Sequence, residues 1–192
     1  MPKFAANLSM LFTEQPFLKR FKAASEQGFE FVEYLFPYEW PAELLAEQLK
    51  QHKLKQVLFN LPPGDWAAGE RGIACLPDRI AEYKTGIDQA INYAKVLGVT
   101  QVNCLAGLAP EHLEHHILWQ TFRNNLDYAA QRLQEHGITL LIEPINSKVD
   151  IPHFFIDTLE KALNIIAELK HSNIKVQFDI YHIQIMQGNI LR

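Results

Sequence analysis

Six short apolar runs, at residues 4–8, 31–35, 55–60, 101–105, 139–143 and 175–179, recur along the chain with helix-like stretches between them. Apolar runs of this length read as buried strands. Their unbroken alternation with helical segments argues for a parallel sheet built through right-handed crossovers. Helices are expected at 14–27, 42–52, 80–97, 110–136 and 157–170. Gly28, Gly98 and Gly137 stand where helices should close. Pro41 suits a first helical turn, and Asp157 can cap the helix that follows it.

Two α/β architectures fit such a pattern, a doubly wound open sheet and a (β/α)8 barrel. No glycine-rich phosphate turn follows the first strand, and polar residues gather at several strand ends, which favours the barrel. Successive strands start about 34 residues apart, so eight units would need about 270 residues, near the size usual for this barrel. The 192 residues then form a single domain, 1–192, holding six of eight units. Asn189 to Arg192 are expected inside the sixth helix, with the last two units beyond them.

The chain is 48% hydrophobic and 21% charged, ordinary for a globular protein, and its net charge of −4 with scattered Lys and Arg gives no footprint for nucleic acid. No apolar run approaches the ~20 residues a membrane helix needs. Asn7, Ser9 and Glu14 interrupt the N-terminal segment, so no signal peptide is expected. Cys75 and Cys104 lack metal-type spacing and sit among apolar residues. Together these predict a reduced, cytoplasmic protein.

The strand ends carry the chemistry. Leu140-Leu141-Ile142-Glu143 and Phe178-Asp179 each end abruptly in an acid, at the end of the strand where barrels keep their active sites. Two carboxylates on neighbouring strands suit a divalent metal or a proton-transfer pair. His182 lies in the turn directly after Asp179, and Asn7, Glu33, Asn60 and Asn103 occupy other strand ends. The stretch 61–72 holds three glycines, two prolines and a tryptophan, and a loop of that length is usually functional or disordered. Its Trp66, Glu70 and Arg71 favour a lid or binding loop. His112, His115 and His116 lie in a polar helical segment and are expected to be solvated surface.

Several stretches together resemble the hydroxypyruvate isomerase family, within the xylose-isomerase-like barrels. They are Phe4-Ala-Ala-Asn-Leu-Ser-Met-Leu-Phe12, Phe36-Pro-Tyr38, Asn60-Leu-Pro-Pro-Gly-Asp-Trp-Ala-Ala-Gly-Glu-Arg-Gly-Ile-Ala-Cys75, Asn103-Cys104, Ile142-Glu-Pro-Ile-Asn146 and Asp179-Ile-Tyr-His182. The resemblance implies a (β/α)8 barrel that isomerises a small 2-keto-3-hydroxy acid with a divalent metal, Mg2+ or Mn2+. Glu143 would be catalytic acid/base and metal ligand, Asp179 a second ligand and His182 a substrate contact. Asn7, Asn60, Asn103, Trp66, Glu70 and Arg71 are further substrate-binding candidates. A His or Gln and a second catalytic Glu of the family's pattern would lie beyond Arg192, and Phe59 stands where some relatives carry histidine. Hydroxypyruvate giving tartronate semialdehyde is the expected reaction, with a four-carbon 2-oxo acid (2-oxo-tetronate) or a ketose epimerisation as alternatives. An alternative of another class is an inactive binding or scaffold relative that covers its open sheet edges by forming a homo-oligomer. A third is that these residues belong to a longer, complete enzyme.

Overall fold

The computed structural model describes residues 2–188, and the expectation for Asn189 to Arg192 lies outside them. Six strands alternate with six α-helices: β1 (Ala5–Asn7), α1 (Phe17–Glu26), β2 (Phe31–Glu33), α2 (Ala42–Gln51), β3 (Lys55–Asn60), α3 (Ile80–Leu97), β4 (Gln101–Cys104), α4 (His115–Gln134), β5 (Thr139–Ile142), α5 (Leu159–Leu169), β6 (Ile174–Val176) and α6 (Ile180–Gln187). All neighbouring strands are parallel, and they pair strictly in chain order from β1 to β6. A doubly wound sheet reverses its strand order at a switch point. This sheet never reverses, which is the order of a (β/α) barrel and decides between the two architectures.

Helical periodicity sets the packing. In α3, Tyr83, Ile87, Ala90, Ile91 and Ala94 fall on one buried stripe. Leu140, Leu141 and Ile142 of β5 are all buried, as expected of a strand covered on both faces. Phe21, Phe122, Leu126 and Leu133 from the helices close on Ala6, Val32, Phe59 and Ile142 from the strands to form the core.

Four helix starts differ from expectation. Pro16 and Pro41 are N-caps with extended backbone, one position outside their helices. The fourth helix begins at His115, not Pro110, because Leu108 makes an antiparallel bridge to Phe154 and Ala109 N donates to the His153 carbonyl at 2.9 Å. Thr158, not Asp157, caps α5, since the Asp157 carboxylate is engaged by Ser147 Oγ and Lys161 Nζ, both at 2.7 Å.

Two irregularities shape the rim. Val32 lies opposite Gln56 but Glu33 lies opposite Leu58, leaving Val57 unmatched. Such a bulge bends the strand and re-aims the side chains next to it. The loop 61–72 is closed on itself by Gly72 N to the Pro63 carbonyl at 2.9 Å and Glu70 N to the Asp65 carbonyl at 3.0 Å. Gly72 has φ 104°, and a Cβ there would run into the Leu105 carbonyl on the next strand's exit. Gly98, at φ 69°, has open space around it. Gly72→Ala should therefore cost at least about 2 kcal/mol, whereas Gly98→Ala should cost only the left-handed backbone penalty of about 1 kcal/mol. Denaturant melts of the two variants compare them directly; equal losses would show that the Leu105 contact gives way freely.

Candidate active site

Strand tips converge on one cavity of about 640 Å³. Asn7, Glu33, Asn60, Glu143, Gln177, Asp179 and His182 form its polar wall, and Met10, Leu35, Leu58, Phe59 and Trp66 its apolar one. Among the described residues no lysine or arginine lines it.

Glu143 follows the last residue of β5 and is buried. Its Oε2 accepts from Asn103 Nδ2 at 3.0 Å, and the same amide donates to Asn60 Oδ1 at 3.2 Å. Burial pushes the Glu143 carboxyl up to about 8, and the negative charges of Asp179 and Glu33 add to the rise while the Gln177 and Asn103 amides oppose it. A carboxyl raised this way holds its proton at neutral pH until a positive charge arrives.

Asp179 serves two purposes. As N-cap of α6, its Oδ1 accepts from Tyr181 N at 2.7 Å and His182 N at 3.1 Å, which orients the carboxylate and the first turn. His182 is positioned by Asn146, which is fully buried. Asn146 Oδ1 accepts from the Val149 and Asp150 N–H groups, both at 3.0 Å, so the amide cannot turn over. Its Nδ2 donates to Asp150 and lies 2.8 Å from His182 Nδ1. A neutral His182 must then accept at Nδ1 and carry its proton on Nε2. It is arranged as a hydrogen-bond donor, with its tautomer set by a neighbour.

Of the residues anticipated from the sequence, Asn7, Asn60, Trp66, Glu143, Asp179 and His182 reach the cavity. Asn103 acts on Glu143 instead of lining the wall. Glu70 and Arg71 do not line it. Glu70 pairs with Arg79, whose hydrogen bond holds the carboxyl below its usual range. Arg71 donates to the Trp66 and Glu70 carbonyls at 3.1 and 2.7 Å, and its guanidinium lies 4.0 Å from the Trp66 ring centre. Both side chains fasten the loop that presents Trp66. His115 packs against Trp119 and Phe155, while His116 pairs with Glu114 at the surface. Asn146, Asp150 and Gln177 were not anticipated. Asn146 ends a motif already singled out and Gln177 lies two residues before Asp179, so both had a positional signal; Asp150, in a loop, had none.

The donor set suits a divalent cation. Ligand-capable atoms of Glu143, Asp179 and His182 lie within 4.8 Å of one another, and this is the one such group among the described residues. Gln177 Oε1, on the same wall, is a buried acceptor without a partner. Carboxylate and amide oxygens are what hard cations prefer. The fixed Nε2 proton of His182 leaves the oxygens as the better ligands.

A family model described as the xylose isomerase-like TIM barrel matches residues 21–191. The 2-oxo-tetronate isomerase of Pectobacterium atrosepticum is 49% identical over 190 residues, covering 99% of this chain and 72% of that protein. The hydroxypyruvate isomerase of Escherichia coli K12 is 47% identical over 190 residues, covering 99% of this chain and 73% of that protein. A crystal structure of an AP endonuclease, family 2, from Brucella melitensis superposes with a TM-score of 0.96 at 46% identity, covering 99% of this chain and 73% of that one. Sequence and fold agree on one assignment: the chain belongs to the hydroxypyruvate isomerase family of xylose isomerase-like TIM barrels.

Proposed function

We propose that this isomerase acts on a small 2-keto-3-hydroxy acid with a divalent metal, converting hydroxypyruvate to tartronate semialdehyde through an enediolate. The observation that carries the reading is Glu143: a buried carboxyl raised to about 8, accepting from the Asn103 amide, with ligand-capable atoms of Asp179 and His182 within 4.8 Å. The reaction moves one proton from C3 to C2 while the carbonyl passes from C2 to C3. A single carboxyl close to both carbons can lift the first proton and return it to the other carbon. Asn103 keeps the carboxyl in one orientation through both halves. His182 Nε2–H donates to a substrate oxygen where negative charge develops. Phe59, Trp66, Leu58 and Met10 keep water from the intermediate.

Glu143, Asp179 and the Gln177 oxygen would hold the metal, Mg2+ or Mn2+ by their hardness. Bound there, it would stabilise negative charge on the two oxygens and acidify the C–H between them. The four-carbon 2-oxo-tetronate is the second substrate reading, favoured by the equally close relative that carries its name.

Glu143→Gln should lower kcat for isomerisation by about 10²–10⁴-fold with the circular dichroism spectrum kept. A variant that keeps its rate would remove Glu143 from the chemistry. Chelation should abolish turnover, and Mn2+ or Mg2+ should restore it; activity indifferent to chelator would sink the metal reading.

The sign of the pH dependence follows from Glu143. Its folded carboxyl lies near 8 without metal, so metal uptake at pH 7 should expel close to one proton, and this release should fade as pH rises above 8. Calorimetric titration of Mn2+ in two buffers of different ionisation enthalpy measures it. Proton release that does not depend on pH between 6 and 9 would count against Glu143 as ligand.

A further inference from the structure

Glu33 is a carboxylate in this cavity that the isomerisation above does not use. It ends β2, in register with Asn7 on β1 and beside the bulge opposite Val57. Its Oε1 accepts from Asn7 Nδ2 at 2.9 Å. The Asn7 amide cannot turn over, because its Oδ1 accepts from Ser9 N at 3.0 Å. Behind them, Leu8 N donates to the Glu33 carbonyl at 2.8 Å and Leu35 N to Ser9 Oγ at 2.9 Å. Glu33 is thus held from behind at one oxygen by a neutral donor.

Burial and the charge of Asp179 both raise the Glu33 carboxyl, and no lysine or arginine lines the cavity among the described residues. Keeping an oriented carboxylate in such surroundings costs stability, which makes it a candidate for function. It stands outside the converging group of Glu143, Asp179 and His182. The reacting carbon pair belongs at Glu143, so Glu33 faces whatever part of the substrate extends beyond that pair. A substrate carboxylate would be repelled there; a hydroxyl, which can donate, would be welcome.

A three-carbon keto acid has one hydroxyl, and the reaction uses it. A four-carbon 2-oxo-3,4-dihydroxy acid has one more, on the carbon next to the reacting pair. We propose that Glu33 is a specificity-determining residue that accepts a hydrogen bond from this additional hydroxyl and so selects the four-carbon acid over the three-carbon one. This rests on the isomerase reading above and, of its two substrate readings, favours the four-carbon one.

The test compares the metal-loaded protein with its Glu33→Gln variant on hydroxypyruvate and on 2-oxo-3,4-dihydroxybutanoate. In the variant, kcat/KM for the four-carbon acid should fall by about ten- to a hundredfold, the worth of a hydrogen bond to a charged group, and several times further than for hydroxypyruvate. Calorimetry with two unreactive acids gives a second readout. Erythronate and glycerate differ by one CH–OH, and the Mn2+-loaded protein should prefer erythronate while the variant loses that preference. Mn2+ affinity should change by no more than a few-fold.

An unchanged ratio between the two acids overturns the proposal, and so does a loss of Mn2+ affinity as large as the loss of activity. Isomerisation of hydroxypyruvate without preference for the longer acid defeats the Glu33 subsite and leaves the isomerase reading standing. Turnover of neither acid with metal restored defeats the isomerase reading, and the subsite with it. Should Glu33→Gln fail to fold, Glu33→Asp, which withdraws the carboxylate by one methylene, reads the same ratio.

Discussion

Parallel pairing in chain order carries every strand's carboxyl end to the same rim, and the division of the molecule into scaffold and site follows from that. Along β4 and β5 the residues inside the ladder, Val102, Leu140 and Ile142, are buried and apolar. Toward the rim the chain turns polar: Asn7, Glu33, Asn60, Glu143 and Gln177 stand at or just past a strand end, and Asn103 one residue before one. At that position a side chain has a rigid strand behind it and open space ahead, which is what a reacting group requires. The cavity needs no special device to assemble; it is where six polar positions arrive together.

Assembling them creates an electrostatic problem. Besides burial, the charge of Asp179 raises both Glu33 and Glu143, Glu33 raises Glu143 further, and among the described residues no lysine or arginine lines the cavity they share. Neutral amides soften the repulsion without removing it: Asn7 on Glu33, Asn103 and Gln177 on Glu143. Amides stabilise a carboxylate while leaving its charge uncompensated, so the site keeps its attraction for a cation. A salt bridge in their place would have compensated the charge and weakened the pull on a metal. The elevated Glu143 carboxyl is therefore a consequence of how the rim is built, and it is also what allows that group to carry a proton near neutral pH.

Much of this was legible in the chain. Strand positions followed from apolar runs, and the two acids that end the fifth and sixth runs, Glu143 and Asp179, meet as their placement implied. What escaped was decided by tertiary contact. The fourth helix starts late because the loop before it is tied to residues 153 and 154, more than forty positions on. Glu70 and Arg71 looked like binding residues because a charged pair in a small-residue loop invites that reading. No local pattern shows that Arg79 returns to claim Glu70, or that Arg71 lies over Trp66. The part of Asn146 was hidden for a related reason: it depends on which way an amide faces, and two backbone N–H groups settle that only once the loop is folded.

The two sides of the cavity are held by separate networks. On the β5–β6 side, Asn103 fixes Glu143, Asp179 caps α6, and Asn146 sets His182. On the β1–β2 side, Ser9 and Asn7 fix Glu33 through bonds that touch none of those groups. The two hydrogen-bond networks share no partner, so charge is what couples the sides: Asp179 acts on Glu33, and Glu33 on Glu143. If the chemistry lies on one pair of strands and substrate contacts on the other, as proposed above, substrate length can change without rebuilding the reacting groups.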